Sequence, residues 1–386
     1  MKVICDRAAL LDAIILVSGV VASRTPRPQL TCVKLSTGTV DGAGELSLAA
    51  TDAEISLILR TAKVDIVEPG EVLVPAEKLR QIVAAEDNEP TLTIESEQDM
   101  CHVRGEDAHF RLVGYPVSEF PAIPDFHAVV AEGKARTVLT IQSGPLGEMI
   151  ARTIFATARE NTRYAINGVL LNRVGKRIEM VATDGRRLAL SRADATSADG
   201  GDETVSCIIP TKALSMLQKL LVSGDERVTI AITDNQILFA IGGDGDARAV
   251  LASNLVEGTF PPYEDVIPKD QDKKVTFDRD LLNSAVRRAA LLTNEESRGV
   301  RMSFHGEEKR VELTSRAPEM GEADIQIDVR GYDGEDIEIG FNPHFITDAL
   351  KVITEPEIIM ELKAPNKPGL MKSGDDFLYV VMPVNL

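Results

Sequence analysis

Apolar and polar positions alternate in short runs along most of the chain. "ELSLAA" from Glu45, "LTIES" from Leu92 and "VTIAIT" from Val228 are examples. A period of two over five or six residues predicts half-buried strands. Between them lie stretches with helical spacing, such as "AEKLRQIV", "TKALSMLQKL" and "HFITDALKV". The pattern predicts many short strands interrupted by a few helices, an α+β architecture.

The order of these elements repeats. "VICDRAALLDAI" starts at Val3 and "VTFDRDLLNSAV" at Val275, 272 positions apart (275 − 3). Halfway between stands "VLTIQSGPLGEMIARTI", from Val138, again a strand followed by a helix. Asp6 is placed to cap the first helix. Each unit has a second helix marked by a proline at its entrance: Pro75, Pro210 and Pro343. Proline suits a first helical position, where its missing N–H would have no partner. A Thr-Asp pair recurs in matching hairpins, Thr51-Asp52 and Thr183-Asp184, while the third unit has the longer acidic loop "LTSRAPEMGEADIQI". A period near 135 residues exceeds that of a solenoid and predicts three tandem copies of one domain. Pro-rich joints, "FPAIPDF" and "FPPYEDVIPKD", separate them, giving domains over 1–125, 130–261 and 268–386. Two helices per copy, backed by antiparallel sheets, would form an arc, and two arcs joined head to tail would close a six-domain ring.

Composition narrows the function. The net charge is −18, which opposes gripping nucleic acid over the whole surface. Basic residues nevertheless fall on the predicted helices: Arg7, Arg152, Arg159, Arg279, Arg287 and Arg288 on the first of each unit, and Lys78, Arg80, Lys212, Lys219 and Lys351 on the second. Binding follows the local field, so a positive lumen inside an acidic shell would surround a duplex without clinging to it. The ordinary alternative is a set of mixed-charge surface helices. Four scattered cysteines suit a reducing cytosol. "AIILVSGVVAS" imitates the apolar core of a signal peptide, but Asp6 and Asp12, within or before the apolar run, argue against it, and Asp6 suits a helix N-cap. No stretch approaches a membrane span.

Catalytic signals are sparse. The five histidines show no metal-ligand spacing, and neither a phosphate-binding loop nor a nucleophile elbow is present. Asp244 and Asp246 in "IGGDGDAR" could hold a divalent cation for phosphodiester chemistry, but the further carboxylates and closing Glu of a calcium loop are missing, which favours a plain Gly/Asp hairpin turn. The last residues, "YVVMPVNL", are apolar where chain ends are usually polar. They form either a closing core strand or an open surface for a partner.

Six ordered segments resemble one family, the bacterial DNA sliding clamps, the β subunit of the replicative DNA polymerase. They are "VSGVVASRTPRP" (from Val17), "NTRYAINGVLL" (from Asn161), "VATDGRRLAL" (from Val181), "EGTFPPYEDVIP" (from Glu257), "RRAALLTNEESRGVRM" (from Arg287) and the terminal "YVVMPVNL". The resemblance implies a non-enzymatic homodimeric ring in the cytoplasm. The ring would encircle duplex DNA and tether the replicative polymerase's catalytic subunit. It would be opened by a clamp loader that alone uses ATP, so no cofactor is expected. Other polymerases and repair factors would dock through short linear peptides; a three-domain scaffold unrelated to DNA is the remaining alternative.

Carried over by position, the peptide groove would comprise Arg163, Ile166, Thr183, Gly185, Arg186, Arg187, Leu188, Pro261, Val266, Val381, Met382, Pro383, Val384 and Leu386. An apolar pocket of this kind takes Leu or Phe anchors, with a few polar groups fixing register. Arg186, Asp265 and Asn385 depart from the family pattern at its rim. DNA contact would involve Arg24, Tyr164, Glu160, Ala165 and Glu77, with Arg7, Arg80 and Arg152 on the helices. Glu160, Ala165 and Glu77 replace a Gln, a Tyr and a basic residue, which implies a weaker direct grip. The ring seam would set Lys78, Arg104, Phe110 and Leu112 against Leu291, Leu292, Glu319 and Glu322.

Overall fold

A computed structural model describes residues 1–40, 42–158, 165–198, 204–222, 224–242, 247–293, 299–318 and 320–385. Its α-helices are α1 (Arg7–Ser18), α2 (Ala76–Ala85), α3 (Phe126–Ala131), α4 (Ser143–Ile154), α5 (Thr211–Leu220), α6 (Arg279–Ala289) and α7 (Pro343–Val352). All strand pairings are antiparallel. The alternating runs are strands: Ala43–Thr51, Thr91–Glu97 and Arg227–Ile232. The stretch that imitated a signal peptide contributes to α1, whose Leu10, Ala13, Ile14 and Val17 are buried.

The repeat is visible bond by bond. Asp6 Oδ1 accepts the Ala9 N–H at 2.8 Å, and Asp278 Oδ1 accepts the Asp280 and Leu281 N–H groups at 3.1 Å. Both satisfy donors that a helix start leaves free. The first residue of each leading helix donates its N–H to the carbonyl before a strand: Arg7 to Pro90, Ser143 to Glu226 and Arg279 to Pro356. After the last strand of each copy the chain bonds back to the strand before its second helix. These return bonds run from Tyr115 N to Leu73 O, from Val256 N to Ile208 O and from Val384 N to Gly340 O.

One expected marker shifts. Pro75 and Pro210 end the strands Glu71–Pro75 and Thr204–Pro210, which are the edges of their sheets. A proline at a sheet edge sacrifices no ladder bond. Pro343 is the first residue of α7, and Asn342 caps that helix through the His344 N–H at 3.0 Å. The three prolines are therefore not equivalent positions.

The chain forms two compact units, 1–145 with 195–205 and 212–255, and 146–194 with 206–211 and 256–386. In the first, Ile55–Thr61 of copy one pairs with Ala249–Asn254 of copy two, making one nine-stranded sheet. In the second, Arg187–Asp194 of copy two pairs with Phe377–Val381 of copy three in another. Strand pairing thus fuses neighbouring copies, which is why compactness does not follow the repeat. The joints expected as linkers are seated in cores. Phe126 packs with Ala231, Leu238 and Val250, and Phe260 and Tyr263 pack with Ile166, Leu188 and Val380.

Candidate functional site

The second Thr-Asp hairpin positions most of the proposed groove. Thr183 Oγ1 donates to Arg187 O at 2.7 Å and accepts the Gly185 N–H at 3.1 Å. Asp184 Oδ1 accepts the N–H groups of Arg186 and Arg187. Gly185 has φ +84°, a conformation costly for residues with a Cβ. Thr51 and Asp52 are wired identically, with Ala53 at φ +79°.

Arg187, expected in the groove, is its brace. Its guanidinium reaches Asp184 Oδ2 at 3.0 Å, Asp348 Oδ2 at 2.9 Å and Phe155 O at 2.8 Å. It lies 5.4 Å from the Phe155 ring centre and 4.6 Å from that of Phe345, with 11% of its side chain exposed. Burial pushes the Asp348 carboxyl up, but hydrogen bonds from Arg187 and Lys351 outweigh it and hold the group below the usual carboxylate range. Tyr379 donates its hydroxyl to Phe345 O at 2.9 Å.

The tail is both a core strand and a surface. Val381, opposite Arg187, is fully buried. Met382 N donates to Arg186 O at 2.9 Å, and Val384 N to Gly340 O. Past that point the side chains open: Met382 is 41% exposed, Pro383 and Val384 half-buried. Ile166 and Leu188 lie with Val380 in one buried cluster, to which Phe260, Tyr263 and Leu370 also belong. Thr183 is buried, Pro261 half-buried, and Val266 is 51% exposed on the short helical turn after Tyr263. Arg163 and Leu386 lie outside the described residues.

The expected DNA contacts divide. Arg24 is exposed on the loop after α1 with no hydrogen bond or ion pair among the described residues. Arg152 is a correction: at 4% exposure it pairs with Glu148 and Glu355 and lies over the Phe377 ring, so it is not available to a phosphate. Arg7 is likewise engaged, donating to the carbonyls of Glu89 and Val83 and so tying α1 to the end of α2. Arg279 does the same to Ile353 O in copy three. Arg80 forms a two-pronged pair with Glu77, whose carboxyl that hydrogen bond holds at about 2. Ala165 is packed in the groove cluster rather than presented to solvent. Lys219 and Arg287 stay exposed. Arg159, Glu160, Tyr164, Asp244 and Asp246 lie outside the described residues.

The expected seam residues fall on two sheet edges. Strand His109–Val113 ends one five-stranded sheet, with Phe110 and Leu112 half-buried and turned to one face. Strand Gly321–Asp328 ends a four-stranded sheet and carries exposed Glu322 and Asp324. Lys78 is exposed on α2, Arg104 pairs with Glu95, and Leu292 is half-buried. Leu291, just past α6, is 75% exposed. Glu319 lies outside the described residues.

Sequence reasoning missed the brace residues Phe155, Phe345, Asp348 and Tyr379. The repeat held a signal for one of them. Phe155 stands thirteen positions after the residue preceding its copy's first helix, as Gly19 and Leu291 do in theirs.

Comparison with known proteins covers the whole chain. Models of the DNA polymerase III beta subunit match in order: the N-terminal domain at residues 1–124, the central domain at 140–262 and the C-terminal domain at 264–385. The beta sliding clamp of Pseudomonas aeruginosa is 35% identical over 383 residues, 99% of each chain. That of Escherichia coli is 31% identical over 388 residues, with both chains fully covered. Among solved structures, a Pseudomonas aeruginosa sliding clamp bound to griselimycin superposes with a TM-score of 0.89 at 34% identity over the full length of both chains. The Bacillus subtilis clamp gives 0.88 at 28%, covering 100% of this chain and 99% of the other.

Proposed function

The chain belongs to the DNA polymerase III beta subunit family, the bacterial sliding clamps, and from that membership we propose how this copy closes, holds DNA and receives partners. It is a processivity factor without catalysis of its own, built from three tandem clamp domains. The reading adopts domains over 1–125, 130–261 and 268–386, a cytoplasmic homodimeric ring around duplex DNA, ATP use confined to the loader, and a peptide dock at the Met382 groove. Bare cations such as Arg24, Lys219 and Arg287 would meet phosphates. With Arg7, Arg80 and Arg152 engaged inside the chain, few counterions would be released and direct affinity would be low.

The observation that carries the ring is a joint made twice and left open once. At both internal joints the fourth strand of one copy pairs with the last strand of the next. The fourth strand of copy three, Gly321–Asp328, and the last of copy one, His109–Val113, have no such neighbour among the described residues. Two chains placed head to tail would complete both edges and close a ring.

The register follows from the repeat. Lys34 faces Leu73 as Arg301 faces Gly340, the two carbonyls of the return bonds. Following the ladder, Lys34, Ala49 and Ile58 correspond to Arg301, Thr314 and Asp324. The return donors Tyr115 and Val256 match Phe110 to Leu251. Since Leu57 faces Leu251, Phe110 would face the partner's Ala323 and Leu112 the partner's Gly321. Arg111 would then face the partner's Glu322 and His109 the partner's Asp324. Opposite charges directly across a strand pair stabilise it. This complementarity did not enter the alignment, and so supports it independently.

Leu291 corresponds to Phe155, which packs against Tyr379 inside the second joint. Leu291→Ala with Leu292→Ala should therefore give monomers at nanomolar concentration by mass photometry, because a small seam depends on a few apolar anchors. Arg111→Glu should weaken the dimer and addition of Glu322→Arg in the same chain should restore it. A wild-type monomer at micromolar concentration, or a dimer indifferent to both changes, contradicts the reading.

A further inference from the structure

The two internal joints match down to one backbone bond, and that match isolates a difference. At the first, Asn254 N donates to Glu54 O at 2.9 Å; at the second, Met382 N donates to Arg186 O at 2.9 Å. Glu54 and Arg186 each stand three places after the Thr of their turn. In the first joint the side chains also meet: Asn254 Nδ2 donates to Glu54 Oε2 at 3.0 Å, and Gln236 donates to Asn254 Oδ1. That corner is closed, its polar groups satisfied within the chain.

At the second joint Met382 offers no partner to a guanidinium. Arg186 is exposed, and its side chain makes no hydrogen bond or ion pair among the described residues. The nearby carboxylates of Asp184 and Asp348 are taken by Arg187. Beside this bare cation the surface is apolar: Met382 is exposed, and the Ile166–Leu188–Val380 cluster lies beneath the turn and tail. A surface that pairs an unneutralised guanidinium with exposed apolar side chains fits a ligand bearing a carboxylate next to apolar anchors.

Resting on the docking reading above, we propose that Arg186 selects among partner peptides, favouring segments that place an Asp or Glu against it while Leu or Phe side chains fill the groove. The contact is charge-assisted and half in solvent, so it sharpens choice and weakens with salt. The turn Tyr263–Val266, whose Tyr263 packs in the same cluster, carries exposed Glu264 and Asp265, which would repel an acidic group placed near them and so help fix the peptide's direction.

The test uses fluorescein-labelled hexapeptides with Leu and Phe anchors and one Asp moved through the remaining positions, each with an Asn and a Lys counterpart. Fluorescence anisotropy against the full-length protein should find one position where Asp binds about tenfold tighter than Asn and Lys binds weakest, near the discrimination expected of one charged contact. Arg186→Ala should remove the gap between Asp and Asn, and Arg186→Glu should reverse the order of Asp and Lys. Equal affinities for the three peptides at every position overturn the proposal while leaving the dock intact. So does an Arg186→Ala protein that retains the Asp preference. Failure of all the peptides, neutral ones included, would overturn the docking reading and this assignment with it.

Discussion

The same Thr-Asp turn holds two joints, and they differ in what they grip. At the first, Asp52 takes the ammonium of Lys212, whose side chain is 53% exposed. At the second, the arginine of the turn lies between two rings and bridges Asp184 and Asp348. A lysine in solvent is a point charge on a flexible stem, and such a pair contributes little. A planar guanidinium stacked on rings and paired on two edges fixes geometry. The braced joint is also the one beneath the proposed docking groove. One repeat unit has thus yielded a plain connector in one place and a firm platform in another, by changing the residues around a conserved turn.

That contrast can be broken experimentally. Arg187→Ala leaves two carboxylates facing each other in a partly buried site and should cost about 3–5 kcal/mol, the usual effect of stripping one partner from a buried network. Differential scanning calorimetry should show a clear fall in Tm, and affinity for any groove peptide should fall with it. Lys212→Ala should cost less than about 1 kcal/mol, as for exposed pairs. Equal losses from the two variants would show that the joints do not differ as described.

In the proposed ring the seam between chains is the third joint, and its charge pairs would make it sensitive to pH. In the single chain, burial first and then Arg104, Arg111 and His102 lower the His109 pKa, with Glu95 opposing them. His102 Nδ1 lies 2.9 Å from His109 Nε2, so the two rings compete for protons. Across the seam the partner's Asp324 and Glu322 would raise the His109 pKa, so association takes up protons. Dimer affinity should therefore rise as pH falls from about 8 to about 6, through the histidine range. Asp324→Asn should flatten that profile. A wild-type dissociation constant that ignores pH would dissolve the proposed register, though not the dimer.

Local chemistry was legible in the sequence wherever one short stretch carried it. The Asp6 cap, the paired Thr-Asp turns, the triple repeat and the closing strand at Tyr379 all stand in the structure. What stayed hidden depended on distant residues meeting. Phe155, Arg187, Phe345 and Asp348 span nearly two hundred positions, and each alone reads as an ordinary core or surface residue. Arg152 illustrates the same limit for charge. Its helix was identified, but a basic residue on a helix faces solvent or a carboxylate according to what packs there, and Glu355 comes from another copy of the repeat. Pro343 does not align with Pro75 and Pro210 because a proline serves either the end of an edge strand or the start of a helix.

The central claim is that this protein holds DNA by enclosing it. The direct measurement loads it with its clamp loader and ATP onto nicked circular DNA, isolates the complex by gel filtration, and then linearises the circle. Release upon cutting, with the protein stably retained on uncut circles, is the predicted result. Retention on the linear product would mean that contact rather than topology holds the duplex, and would contradict the account.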